Sequence, residues 1–227
     1  MIDIRDNTVP ADRQMICSSD LSFLGREGAP LRVLVVGNSI TRHGPNEAIG
    51  WPYDWGMAAS APERDYVHRL YARLTEAGYD VHMRIRQCSF WERNFMQDDV
   101  LEAYSDERDF APHVIVYRLG ENVPRELCDV YGEKVKSFTD HLSARGGHTV
   151  FTTCFWAYEG FDEQVVELAR RQGDVLVDLR PLAKDERTMA LGLFEHKGVS
   201  MHPGDYGMDE ISRLVFEAID GLLGGSR

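Results

Sequence analysis

The sequence is poor in cysteine, and its cysteines stand apart. Cys17, Cys88, Cys128 and Cys154 form no Cys-x-x-Cys pair, so a zinc site of that spacing has no ligands and a small disulfide-stapled scaffold is excluded. Isolated cysteines in a chain of this length read as buried, reduced hydrophobes. Cations are also scarce: 25 Lys and Arg face 37 Asp and Glu, a formal net charge of -12. Nucleic acid and anionic membranes both need clustered Lys and Arg, so neither is an expected partner. No apolar run is long enough to span a bilayer, and Met1-Ile2-Asp3-Ile4-Arg5-Asp6 lacks the basic and apolar regions of a secretory leader. The expectation is a cytoplasmic protein. Histidines 68, 82, 113, 141, 148 and 196 form no His-Glu-x-x-His pattern, and no metal or other cofactor is expected. Internal repeats and low-complexity segments are absent as well.

What is present is enough apolar material for a core: 43% of 227 residues. That length fits one domain with a small extension. Residues 1–30 are polar, broken by short apolar pieces such as Leu21-Ser22-Phe23-Leu24. They read as an extension packed on a main domain over residues 31–227, with a possible edge strand.

The strongest local signal is Val33-Leu34-Val35-Val36-Gly37-Asn38-Ser39-Ile40-Thr41. Its apolar, β-branched start predicts a strand buried on both faces. Gly37 lets the chain turn without a Cβ clash. Ser39 then falls at the carboxyl end of a parallel strand, where open α/β sheets hold their ligands. If a helix starts there, Ser39 is either its N-cap or a hydroxyl activated by the helix's free N–H groups and dipole.

Further strands are expected at 80–86, 114–118, 148–153 and 175–177. Helices are expected from a capping box at Ser60-Ala61-Pro62-Glu63 to Gly78, around Trp91 to Leu101, along the stripe Tyr131, Val135, Phe138 and Leu142, over 162–172, and over 205–223. Alternating strands and helices predict a three-layer α/β/α sandwich, flavodoxin-like, with a parallel five-stranded sheet in the order 2-1-3-4-5. The long loop from Thr41 to Ser60 reads as functional.

Gly37-Asn38-Ser39-Ile40 follows the first strand of this scheme, Gly120-Glu121-Asn122 follows the third, and His202-Pro203 precedes the last helix. These pieces resemble the SGNH hydrolases, the GDSL esterase/lipase superfamily, whose blocks are Gly-Asp-Ser-[Leu/Ile], Gly-x-Asn-Asp and Asp-x-x-His. The stretches Ile49-Gly50-Trp51 and Asp54-Trp55-Gly56-Met57-Ala58-Ala59-Ser60 resemble a bacterial subgroup of it. The resemblance covers residues 31–227.

It implies acyl transfer: Ser39 as nucleophile, His202 as general base and then acid. The oxyanion hole would combine the Ser39 N–H, the Asn122 carboxamide and a backbone N–H from the second block. The substrate would be a small-molecule carboxylic ester, most simply a short acyl group on a sugar. Lipase or thioesterase chemistry, a non-catalytic binding module that kept the fold, and a flavodoxin-like nucleotide binder are the other readings. The last is disfavoured by the bulky residues after Thr41.

Two positions depart from the pattern. The second block reads Arg86-Gln87-Cys88-Ser89-Phe90-Trp91 and has no glycine, so Ser89, or Cys88, would donate the N–H. Val199 stands three before His202, where the acid is expected. A backbone carbonyl would then orient the imidazole, with Glu195 or Asp205 as alternatives. Asp205 also reads as the N-cap of the last helix. Trp51, Trp55, Trp91 and Trp156 are either core or faces lining the pocket, and Glu121 is structural or on the pocket rim.

Overall fold

The computed structural model describes residues 21–224. Strands are β1 (Leu21–Gly25), β2 (Leu31–Gly37), β3 (Val81–Gln87), β4 (Val114–Arg118), β5 (His148–Thr152) and β6 (Val175–Val177). Helices are α1 (Tyr66–Glu76), α2 (Ser89–Asn94), α3 (Ser105–Asp109), α4 (Cys128–Leu142), α5 (Phe161–Gln172), α6 (Lys197–Ser200) and α7 (Asp205–Gly224). The sheet order is β1-β3-β2-β4-β5-β6. β3, β2, β4, β5 and β6 are mutually parallel, and β1 runs antiparallel to β3. The five parallel strands have the expected 2-1-3-4-5 order. The sixth, β1, lies in the segment read as an extension, so the sheet begins before Leu31. Residues 1–20 of that segment lie outside the described residues.

Period-two alternation on buried strands divides the core in two. Leu34, Val36, Ile115, Tyr117 and Phe151 point to one face, against Trp91 and Phe95, the α4 stripe Tyr131, Val135, Phe138 and Leu142, and Phe161 and Val165 of α5. Val33, Val35, Val114, Val116 and Val150 point to the other, against Val67, Leu70 and Leu74 of α1 and Met208, Ile211, Val215 and Ile219 of α7. Helices on both faces complete the three layers.

Two local expectations change. No helix begins at Ser39: the N–H groups of Thr41 and Arg42 donate to the Asn38 carbonyl at 2.9 and 3.0 Å, closing a turn, and the next α-helix after it is α1 at Tyr66. The supposed capping box at Ser60 does not form either. Ala61, before Pro62, is extended (φ -159°, ψ 161°), as pre-proline residues prefer. Asp65 caps α1 by accepting from the His68 N–H, while Ser60 donates its N–H and hydroxyl to Asp205 at 2.8 and 2.7 Å. Among the described residues, no helix is long and apolar enough to cross a membrane.

Candidate active site

β2 and β4 end side by side at the sheet's centre, so the loops after them open at the same edge. Gly37 is needed there by close approach: a Cβ on it would lie 1.8 Å from the Thr41 hydroxyl. Gly120 has φ +140°, and a Cβ would meet the Cys154 sulfur at 2.7 Å. The loop from Thr41 to Ser60 folds back on itself. His43 and Trp55 form an antiparallel bridge, Arg42 pairs with Asp54, and the Trp51 indole donates to the His43 carbonyl at 3.0 Å.

Ser39 Oγ lies 2.8 Å from His202 Nε2. His202 Nδ1 lies 2.7 Å from the Gly198 carbonyl oxygen. A carbonyl can only accept, so this contact places the proton on Nδ1 and leaves Nε2 to accept from the serine hydroxyl. The His202 loop is pinned by Ala190 N–H to the His202 carbonyl, 2.9 Å, and Gly204 N–H to the Thr188 carbonyl, 2.9 Å. Val199, at the position where the pattern calls for an acid, is 1% exposed and packs with Ile49, Trp51, Met57, Ala58 and Ala190. That cluster has no place for a carboxylate. Glu195 is exposed and Asp205 is held by Ser60. Of the three candidates for orienting the imidazole, the structure supplies the backbone carbonyl.

Burial pushes the His202 pKa from 6.5 down to about 3; the Gly198 bond opposes this, and the charges of His43, Arg118 and His196 add to it. The imidazole is therefore neutral at neutral pH. His43, with Nδ1 2.7 Å from the Gly44 carbonyl, is also shifted down, chiefly by burial.

On the other side of Ser39 lies a polar network with little trace in local sequence pattern. Arg118 is fully buried and donates to Asn38 Oδ1 at 2.6 Å and to both oxygens of Glu121. Asn38 Nδ2 donates to Glu121 at 2.7 Å and to Glu92 at 3.1 Å. Glu92, on α2 and 0% exposed, also accepts from the Gly120 N–H at 2.7 Å and from Asn122 Nδ2 at 2.6 Å. Its pKa is raised, first by burial and then by Glu121, against the pull of these donors. Glu121 is thus not on a rim: its carboxylate is taken by Arg118, Asn38 and the Phe155 N–H, 3.0 Å. A charge ending the apolar strand Val114–Arg118 was the one available hint.

The N–H of Ser39 has no acceptor among the described residues, and Asn122 Nδ2 has a second hydrogen beyond the one given to Glu92. The proposed second-block donors are already used. The Ser89 N–H donates to Gln87 Oε1 at 3.0 Å, and the Cys88 N–H to the Gly37 carbonyl at 2.7 Å. Ser89 is therefore not an available oxyanion donor in this conformation.

The tryptophans separate. Trp51 and Trp91 are 0% and 1% exposed, Trp91 being stacked on Phe138 at 4.6 Å; both are core, not ligand faces. Trp55 is partly buried, stacked on Tyr53 at 4.4 Å, with its indole N–H given to the Ala59 carbonyl. Trp156 alone of the four meets the imidazole, edge to face at 5.1 Å. Among the described residues no cluster of His, Cys, Asp and Glu could hold a metal ion.

No protein-family model matches the chain, and no curated protein sequence does. Solved structures do match. TesA aligns over 85% of this chain and 99% of its own, at 17% identity and a TM-score of 0.57. The psychrotrophic esterase EstA from Pseudoalteromonas sp. aligns over 85% and 98%, at 14% identity and a TM-score of 0.56. The acetyl xylan esterase AlAXEase aligns over 83% and 100%, at 15% identity and a TM-score of 0.56. Across most of its length the chain has the α/β fold shared by these esterases and by structures described as a GDSL-like lipase and an SGNH hydrolase.

Proposed function

We propose that the protein is a serine esterase that cleaves carboxylic esters through an acyl-enzyme. The observation that carries this is the Ser39 Oγ to His202 Nε2 contact of 2.8 Å, backed by the Gly198 carbonyl on Nδ1 at 2.7 Å. A neutral imidazole held on a hydroxyl is the arrangement a nucleophilic serine needs. Ser39 Oγ attacks the ester carbonyl as its proton passes to Nε2. The negative charge that develops on the carbonyl oxygen is met by the Ser39 N–H and the second N–H of Asn122. The proton on Nε2 goes to the departing alkoxide, which leaves as the alcohol. Water then attacks the acyl-serine, again losing its proton to Nε2, and the acid is released as Ser39 regains its proton. No cofactor enters any step.

For the substrate we infer a short acyl group, most simply acetyl, on a carbohydrate. Trp156 beside His202 offers an aromatic edge where the alcohol portion would sit. Among proteins of the same fold are AlAXEase, named an acetyl xylan esterase, and CEX, a two-domain esterase described as active on acetylated mannans. The test is hydrolysis of p-nitrophenyl acetate and of acetylated oligosaccharides by the wild type and Ser39→Ala, with fluorophosphonate labelling of Ser39. Turnover that disappears in Ser39→Ala supports the esterase. Equal rates, with no labelling, favour a binding module. Faster cleavage of long-chain esters or thioesters than of acetylated sugars favours the lipase or thioesterase reading.

A further inference from the structure

Resting on the esterase reading, we propose that Glu92 is the positioning residue of the oxyanion hole. Its buried carboxylate fixes the Asn122 carboxamide so that the second N–H of that group meets the developing oxyanion.

The bonding around Glu92 joins three pieces of chain. Oε2 accepts from Asn122 Nδ2 at 2.6 Å, and Oε1 accepts from the Gly120 N–H at 2.7 Å and from Asn38 Nδ2 at 3.1 Å. The Asn122 N–H adds a longer contact to Oε1 at 3.4 Å. Asn38 adjoins the nucleophile, Asn122 is the side-chain donor, and Gly120 starts the loop that carries it. Every one of these contacts comes from an N–H, and none offers an acceptor for a carboxyl proton. The geometry therefore calls for the ionised form, which can only accept. A bond from an amide to a carboxylate is shorter and stronger than one between neutral groups.

The same contact fixes which way Asn122 faces. Its carboxamide carries oxygen and nitrogen at nearly equal reach. Turned over, it would set Oδ1 against Glu92 Oε2 and present a lone pair to the oxyanion. An acceptor-only group behind Asn122 excludes that orientation. The requirement is sharper because the Ser89 and Cys88 N–H groups are already used, which leaves the Ser39 N–H and Asn122 as the donors. Glu121, the other buried carboxylate here, cannot do this work, since Arg118, Asn38 and the Phe155 N–H occupy it.

Glu92→Gln keeps the size of the side chain and turns one oxygen into a donor. Whichever way the new amide points, it sets an N–H against Asn122 Nδ2 or against the Gly120 N–H. The expected result with p-nitrophenyl acetate is a fall in kcat of about 10²-fold, comparable with loss of one oxyanion donor. KM should change less than about threefold, because the interaction lost is made only in the transition state. A carboxylate with a merely structural role would not produce that split. In an Asn122→Ala background Glu92→Gln should cause no further loss of kcat, since the group it positions is gone. Glu92→Asp retains the charge but withdraws it by one methylene; it should lower kcat by an intermediate factor, and it decides the matter should Glu92→Gln fail to fold. Wild-type kcat in folded Glu92→Gln or in Glu92→Asp would overturn the proposal, as would independent, multiplicative losses from Glu92→Gln and Asn122→Ala. Failure of the esterase reading is a separate result: it would appear as wild-type turnover no greater than that of Ser39→Ala.

Discussion

Around Asn38 and Asn122 the protein buries two carboxylates and a guanidinium. Against His202 it places the Trp156 ring and the Gly198 carbonyl. Ser39 sits between these two regions, and each performs a different task. On the Asn38 and Asn122 side, position is set by directional, charge-assisted hydrogen bonds, which hold amide donors at fixed angles. On the imidazole side, position is set by the Trp156 ring and one carbonyl, which fixes the tautomer; among the described residues the ring has no anionic partner. The difference shows in ionisation: burial without a carboxylate drives the His202 pKa down to about 3, whereas an aspartate beside the ring would raise it. A neutral imidazole is ready to accept a proton, and it depends on the carbonyl alone to stabilise the imidazolium.

Substitutions can break this comparison on either side. The largest effect is expected at the centre: Ser39→Ala and His202→Ala should each lower kcat by about 10⁴-fold or more, measured on p-nitrophenyl acetate. On the polar side Asn122→Ala should lower kcat by about 10²–10³-fold with the fold retained, as seen by circular dichroism. On the apolar side Val199→Asp supplies an acid at the position three before His202, but in a cluster with no partner for it. It should destabilise the protein by about 3 kcal/mol and lower Tm by about 6–12 °C, without a gain in activity. The smallest effect is expected at Glu195, which is exposed and outside both regions: Glu195→Ala should leave kcat within about twofold of wild type. A loss near that of His202→Ala would make Glu195, not the Gly198 carbonyl, the group that orients the ring.

The sequence displays some of this and conceals the rest for physical reasons. Strands and layers are legible because the continuous apolar runs of β2 and β4 and the 3.6-residue stripes of α4 and α7 are properties of neighbours along the chain. The blocks that carry Ser39, Asn122 and His202 are legible because each is short, has fixed spacing and lies beside a recognisable element. The Gly198 carbonyl was legible only as a class of group, since every residue carries one. Glu92 and Arg118 were missed because their partners, Asn122 for one and Asn38 for the other, lie 30 and 80 residues away. Its place in the second block points to Ser89, but the Gln87 side chain two residues earlier takes the Ser89 N–H, a local competition that residue identity does not announce. Trp51 and Trp91 were candidates for the pocket because a tryptophan near a site serves equally as core or as a binding face. Packing against Val199 in one case and Phe138 in the other makes both of them core.

The central claim is a serine activated by a neutral imidazole that a backbone carbonyl orients. It is tested most directly by the rate at which a fluorophosphonate modifies Ser39, followed from about pH 8 to about pH 4. Because the folded-state pKa of His202 lies below the ordinary 6.5, the imidazole stays unprotonated as the pH falls through that value. The rate should hold steady through pH 6.5 and decline only well below it. A titration centred near 6.5, or modification that His202→Ala leaves unchanged, would contradict the account.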